Sequence, residues 1–148
     1  MKLSTILTRP FDTGLRRDAL AFLLRLALAA PFFVSGRTKV VEGSWLTISD
    51  TTYTLFENDY SAVPLSPHFA AVAATLAEHS LPILLVLGLG TRFAALGLFM
   101  MTLTIQTFVY PDAFWSVHLG WFALAIAVFL IGPERWSADR LLFAKAPA

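Results

Sequence analysis

The sequence predicts an all-α integral membrane protein, an up-and-down bundle of four helices that forms one domain over residues 1–148. Of the 148 residues, 57% are hydrophobic and only 14% are charged, whereas a soluble domain has about 45–50% apolar and about 25% charged residues. Apolar stretches near the roughly 20 residues that span a bilayer recur four times. Two of the three connections are short, which makes consecutive helices antiparallel neighbours.

The predicted spans are bounded by residues that end or begin helices. Gly88-Leu89-Gly90 predicts a tight turn, and Thr91 can cap the helix that follows it. Proline disfavours helix in the residue before it, so Pro111 ends the third span and Gly132-Pro133 ends the fourth. The spans predicted are residues 19–36, 67–88, 91–110 and 114–132.

The segment 37–66 is the one long connection between spans. It carries four acidic residues together with tryptophan and tyrosine, which prefer the membrane–water interface. The pattern does not separate helix from short strands. We expect this segment to lie at the interface as a lid or docking surface; a passive linker is the alternative.

The basic residues predict the orientation. Eight of them lie in the N-terminal segment, the 88–92 turn and the tail: Lys2, Arg9, Arg16, Arg17, Arg92, Arg135, Arg140 and Lys145. Only Arg37 and Lys39 lie on the opposite side, and Arg25 lies within a span. Because basic loops stay in the cytoplasm, both termini are predicted to be cytoplasmic and segment 37–66 to face outward.

Composition also excludes several kinds of site. The chain has no cysteine, so it offers no disulfide, thiol nucleophile or iron–sulfur ligand. No run of lysine and arginine indicates nucleic acid. No phosphate-binding loop or zinc motif is present. No metal site is expected, because the Glu-x-x-His spacing of helical-bundle metal proteins is missing.

Glu78 and His79 lie at the middle of the second span, where a charge is costly unless it faces other helices or a water-filled cavity. Pro82 has no backbone N–H, so the carbonyl of Glu78 loses its usual helical partner. Arg25 is the predicted partner of Glu78, since estimated depths of roughly 9 and 15 Å are within reach of a long side chain. Lys39 is the weaker candidate. The pair is either structural or the centre of a proton, ligand or quinone site.

Two further residues complete the candidate polar centre. His118 lies near the outer end of the fourth span, and Gln106 belongs to a polar stripe with Thr102 and Tyr110 on the third. Such stripes form hydrogen bonds between helices or line a transport path. A haem held by His79 and His118 is not expected, because their depths differ by roughly 9 Å.

The segments in this order resemble the DoxX family of small four-helix membrane proteins. The first span, RLALAAPFFVSGRTK, looks like the family's arginine, apolar run and S-G-x-x-K, with Arg25, Ser35, Gly36 and Lys39 in those places. Glu78 through LGLGTRFAALGLFM looks like the family's glutamate and T-R-x-A-A-L. His118, Trp121 and GPERWSAD are similar to its ending, although Glu134 replaces a glycine. The resemblance extends over about residues 20–142.

The resemblance implies a bacterial inner-membrane protein with a link to thiosulfate–quinone or other redox systems. We expect the membrane subunit or accessory of a redox or stress-response system, at most a subunit of a quinone-linked oxidoreductase. Its surroundings would be the lipid bilayer and a soluble or membrane redox partner. The alternatives are a small transporter or channel component, and a scaffold that docks a partner through segment 37–66.

Overall fold

The structure is a computed structural model that describes residues 13–143, and every regular element in that range is a helix. The all-α prediction is therefore confirmed. Three residues of the orientation argument, Lys2, Arg9 and Lys145, lie outside this range. The helices are α1 (Thr13–Thr38), α2 (Asp50–Asn58), α3 (Pro67–Leu87), α4 (Thr91–Phe108), a 3-10 turn (Pro111–Ala113), a π-helical turn (Phe114–His118), α5 (Leu119–Ile131) and α6 (Ala138–Phe143).

Three helical segments within the described chain are long and apolar enough to cross a membrane: Gly14–Thr38, Pro67–Leu87 and Pro111–Ile131. The predicted third span corresponds to α4, which has 18 residues and includes the polar Arg92 and Gln106. These four segments form a ring in which each packs against its two neighbours in the order α1, α3, α4, α5. The four segments therefore pack as the predicted helical bundle.

The bundle core is apolar and tightly packed. Leu28 and Phe32 of α1 meet Leu85 of α3, Leu98 of α4 and Val128 of α5 in one buried cluster. The exposed leucines and phenylalanines lie on the outer faces of the helices. An apolar exterior around an apolar core is what a bilayer requires, because lipid tails solvate these side chains.

The fourth span begins with irregular helix. Pro111 follows the end of α4, and a 3-10 turn is followed by the π-helical turn Phe114–His118 before α5 continues. A π-helical turn holds one extra residue per turn and often occurs at functional sites. Here His118 is its last residue and is buried inside the bundle.

Segment 37–66 is ordered and contains helix α2. The Ser49 side chain accepts a hydrogen bond from the Thr52 backbone N–H and caps the helix. The Thr52 hydroxyl donates to the Lys39 carbonyl at 2.9 Å, which joins α2 to the end of α1. Phe56 is buried against Ala70 and Ala71 of α3. The segment therefore packs against α1 and α3.

The tail, residues 133–143, folds back across the ends of the helices. Arg135 forms an ion pair with the buried Asp18 at 2.7 Å. Asp139 accepts hydrogen bonds from the N–H groups of Gly90 and Thr91, at 2.7 and 2.9 Å. Helix α1 already includes Thr13, six residues before the predicted start of the span, and this added part of the helix pairs with the tail through Asp18.

Candidate functional site

A cavity of about 450 Å³ lies between α3 and α4. Its α3 wall is a stripe of small side chains at helical spacing: Ala70, Ala73, Ala74 and Ala77. Residues at these intervals share one face of a helix. Methionine, threonine and isoleucine side chains of α4 face them across the space. The alanines open the cavity because they leave unfilled the volume that larger residues would occupy.

Aromatic residues close the cavity at the α2 side. Phe56 and Tyr60 line it there, and the rings of Tyr60 and Tyr110 meet edge to face with centroids 6.1 Å apart. Burial raises the pKa of Tyr60 above its ordinary value, and the neighbouring Tyr110 and Glu78 raise it further. Its hydroxyl therefore keeps its proton; it shares a side-chain hydrogen bond with Tyr110 and can turn from that bond to donate to a ligand.

Glu78 lines the same cavity and forms a buried ion pair with Lys39, at 2.7 Å between Oε2 and Nζ. Both side chains are about 95% buried. The Lys39 ammonium also donates to the Ser35 hydroxyl at 2.9 Å. The helices approach closely beside this pair, since a Cβ on Gly36 would lie 3.1 Å from the Glu78 carbonyl oxygen. Glycine at this position is thus what lets α1 and α3 bring the two charges together.

The predicted Arg25–Glu78 pair is wrong. Arg25 is buried, but its guanidinium donates to the carbonyl oxygens of Leu85 and Trp136. Leu85 lies seven residues beyond Glu78, about 10 Å further along α3. Arg25 therefore belongs to the tail end of the bundle, and Lys39, the weaker candidate, is the partner of Glu78.

His118 also lines the cavity, and Gln106 orients it. The Gln106 amide nitrogen donates to the Pro111 carbonyl at 2.7 Å, so its Oε1 is left to accept from His118 Nδ1 at 2.6 Å. Nδ1 thus carries a hydrogen, and Nε2 of the neutral ring has the lone pair. Gln106 and His118 are brought together as members of one network, whereas Thr102 bonds only to Leu98 of its own helix.

His79 lies outside the cavity. Its Nδ1 is 2.7 Å from the Thr75 carbonyl oxygen, and its ring packs edge-on against Phe33 and Trp45. Adjacent helical residues point about 100° apart, so Glu78 and His79 face different neighbours. Of the six predicted residues, Glu78 and His118 line the cavity and Lys39 and Gln106 are their partners, whereas Arg25 and His79 lie elsewhere.

Sequence reasoning missed Ser35, Tyr60 and the alanine stripe as parts of the site. The four alanines at intervals of three and four residues were a readable signal for a small-residue face on α3. Tyr60 gave no comparable signal, because its approach to Tyr110 joins segments 50 residues apart. Among the described residues, no group of three or more histidine, aspartate or glutamate side chains could hold a metal ion.

Comparison with protein-family models gives a match over most of the bundle. The family model named DoxX matches residues 20–111, which is more than half of the chain and includes Lys39, Glu78 and Gln106. His118 and the tail lie beyond the matched range. No curated protein and no solved structure matches the chain.

Proposed function

Because this chain belongs to the DoxX family of membrane proteins, we propose that it serves as a membrane subunit or accessory of a redox system and binds a quinone in the cavity between α3 and α4. The observation that carries the proposal is that Glu78, buried in an ion pair with Lys39, lines a cavity whose walls are mostly apolar. Charged residues inside a membrane protein usually mark a ligand or proton path.

The size and lining of the cavity fit a quinone head group. Pockets for small organic ligands range from about 300 to 1,000 Å³, and this cavity measures about 450 Å³. That volume suits one substituted ring and the first part of an isoprenoid tail. The alanine stripe and the α4 methionines supply the apolar walls that such a molecule needs.

The polar groups fit the oxygens of the ring. Glu78 and His118 Nε2 are acceptors for the hydroxyl groups of a quinol, and the Tyr60 hydroxyl is a donor for a quinone carbonyl. All three residues line the cavity. A bound quinone would supply two-electron, two-proton redox chemistry. The chain's own part is to orient the ring, exclude water and hold protons at Glu78 Oε and His118 Nε2.

A binding assay with the purified protein tests this proposal. The chain has four tryptophans, so the assay uses protein in which Trp45, Trp115 and Trp136 are replaced by phenylalanine. The remaining fluorescence is that of Trp121, which lines the cavity, and it should be quenched by a short-chain ubiquinone or menaquinone added to protein in nanodiscs. Ala77→Leu should fill the cavity and weaken quenching about tenfold, because it occupies space that the ring needs. Ala123→Leu on the exposed face of α5 is the matched control and should leave quenching unchanged.

Equal quenching in the wild type and Ala77→Leu would overturn the proposal, provided that both variants keep the wild-type melting temperature. Glu78→Gln keeps the size of the side chain and removes its charge. It should weaken binding of the quinol more than that of the quinone, because the carboxylate accepts a hydrogen bond that only the quinol donates.

We further propose that the protein lies in a bacterial inner membrane with both termini in the cytoplasm, as the distribution of basic residues favours. The absence of cysteine makes labelling clean. Ser61→Cys should react with an impermeant reagent on cells whose outer membrane, if present, is permeabilised, and Arg140→Cys should react only after lysis. Both positions are exposed. The reverse pattern would invert the orientation.

A further inference from the structure

A second cluster of polar groups lies on the other side of α3 from the cavity. It consists of Arg37 in the last turn of α1, Trp45, Phe33 and His79. The Arg37 guanidinium lies over the Trp45 ring, 4.7 Å from its centroid. The His79 ring is 6.5 Å from the same indole. We call these four residues the Trp45 cluster.

Two polar atoms of the Trp45 cluster are buried without a hydrogen-bond partner. They are Arg37 Nη1, a donor with a positive charge, and His79 Nε2. His79 is 93% buried, since only 7% of it is exposed. Its Nδ1 faces the Thr75 carbonyl, which can only accept, so Nδ1 carries the hydrogen and Nε2 is an acceptor in the neutral ring.

Unsatisfied buried polar atoms are costly, and each requires an explanation. A cationic donor and an uncharged acceptor lie beside one indole. The ligand complementary to them carries a negative charge and also a hydroxyl group. A phosphate accepts from guanidinium in a strong charge-assisted bond. A glycerol hydroxyl attached to that phosphate can donate to the imidazole.

The position of the Trp45 cluster identifies the source of such a group. Arg37 ends a membrane-spanning helix, and tryptophan prefers the level of the lipid head groups. Val34, one turn deeper on α1, is exposed and offers an apolar surface to an acyl chain. Trp45 is 60% exposed, so its indole contacts the Arg37 guanidinium and the His79 ring without being fixed in the core.

We propose that the Trp45 cluster is a specific site for the head group of an anionic phospholipid that carries a free hydroxyl, such as phosphatidylglycerol. The phosphate binds Arg37, the head-group hydroxyl donates to His79 Nε2, and the Trp45 indole moves off the guanidinium to pack against the glycerol. This site is independent of the quinone cavity, because none of its four residues lines that cavity.

Native mass spectrometry of protein transferred from mixed phosphatidylglycerol and phosphatidylcholine nanodiscs tests the site. The wild type should retain phosphatidylglycerol about tenfold more than phosphatidylcholine. Both lipids carry the phosphate, but phosphatidylcholine lacks the hydroxyl that donates to His79, and its choline cation cancels the negative charge that faces Arg37. Arg37→Gln and His79→Leu should each lower this preference several-fold. His79→Leu is the sharper variant, because it removes the acceptor without changing a formal charge.

Arg140→Gln is the matched control for loss of one positive charge, since Arg140 is exposed at the opposite end of the bundle. It should leave the preference for phosphatidylglycerol unchanged. An equal preference in the wild type, Arg37→Gln and His79→Leu, with unchanged melting temperatures, would overturn the site. Displacement of the lipid by millimolar glycerol phosphate would instead assign the site to free phosphate compounds and overturn the lipid assignment.

Discussion

Two cations, one within helix α1 and one directly after its end, are buried in two different ways. Arg25 and Lys39 are 1% and 5% exposed, respectively. The Arg25 guanidinium is held by the carbonyls of Leu85 and Trp136 and by the Phe22 ring, 5.5 Å away. Lys39 is held by a carboxylate, Glu78, that also lines a cavity. Arg25 thus joins the tail to the helices at one end of the bundle. Lys39 forms an ion pair with a cavity-lining residue at the other end.

The different partners of Arg25 and Lys39 indicate which of the two buried charges is the candidate for function. Carbonyl oxygens accept from the two terminal nitrogens of Arg25, and the charge that acts on it is Asp139 of the tail, which caps α4 and does not line the cavity. The Lys39–Glu78 pair contains a titratable group beside empty space. In membrane proteins such a group is a functional candidate by default, whereas Arg25 joins the tail to the helices.

The largest effect is expected at the cavity end. Lys39→Leu should lower the free energy of unfolding by about 3 kcal/mol, because it leaves a buried carboxylate without its counter-charge. Lys39→Leu/Glu78→Leu should recover most of this loss, since the pair is replaced by apolar groups. Melting in nanodiscs measures the stability, and quinone quenching should stay abolished in the double variant.

Purely additive losses in this cycle would mean that the two residues do not interact. Recovery of both stability and quinone binding in the double variant would make the pair structural, like Arg25. Neither end of the bundle would then hold a functional charge, since both buried cations would be structural.

The next effect is at the tail end, where Gly88 makes room for Arg25. Gly88 has φ of +69°, and a Cβ there would overlap the Arg25 guanidinium and lie 2.7 Å from the Ser137 Cα. Gly88→Ala should destabilise the protein by about 2–3 kcal/mol, from left-handed strain and displacement of Arg25 and the tail.

Gly90→Ala is the matched control for Gly88→Ala. Gly90 has φ of +58° and no atom within 4 Å of its ideal Cβ. It should therefore cost only the backbone strain of about 1–2 kcal/mol. Equal losses in the two variants, measured by thermal melting, would show that Arg25 does not depend on the space at Gly88.

A smaller effect is expected from the cap that the tail places on α4. Burial would raise the pKa of Asp139, but the N–H groups of Thr91 and Gly90 outweigh it and lower the pKa below its ordinary value. A lowered folded-state pKa means stability that is present above pH of about 4 and lost as pH falls through the folded value. Asp139→Ala should cost about 1 kcal/mol at pH 7.

The pH dependence distinguishes the cap from a packing effect. The difference in melting temperature between the wild type and Asp139→Ala should shrink as pH falls below about 4, because protonated Asp139 loses its charge-assisted bonds. A difference that stays constant from pH 7 to pH 3 would contradict the role of the carboxylate charge.

The smallest effect concerns the cavity entrance and rests on the proposed quinone site. Tyr60→Phe removes one hydroxyl and should weaken quinone binding two- to fivefold, or about 0.5–1 kcal/mol. Tyr53→Phe is the control, because Tyr53 stacks on His68 with centroids 4.9 Å apart and does not line the cavity. Trp121 quenching in both variants makes the comparison, and equal affinities would remove Tyr60 from the site.

Much of the fold was predictable from the sequence because its signals are local. The long apolar stretches, Pro111, Gly132-Pro133 and the Gly88–Gly90 turn all act within one helical turn of themselves, and the helices begin and end within a few residues of most predicted bounds. The DoxX resemblance was confirmed for residues 20–111. The presence of Glu78 at mid-span was equally readable, since burying a charge in lipid is costly wherever the helix packs.

Partner choice was decided only by the tertiary structure. Depth estimated along each helix does not determine which face of α3 meets α1. It also does not predict that the Arg25 guanidinium donates to the carbonyl of Trp136, 111 residues away in the chain. Lys39 directly follows the end of the long α1 helix, and there it meets Glu78. Sequence determines which groups must be buried and paired. Which groups pair depends on helix rotation and on the folded-back tail, and both follow from contacts between residues far apart in the chain.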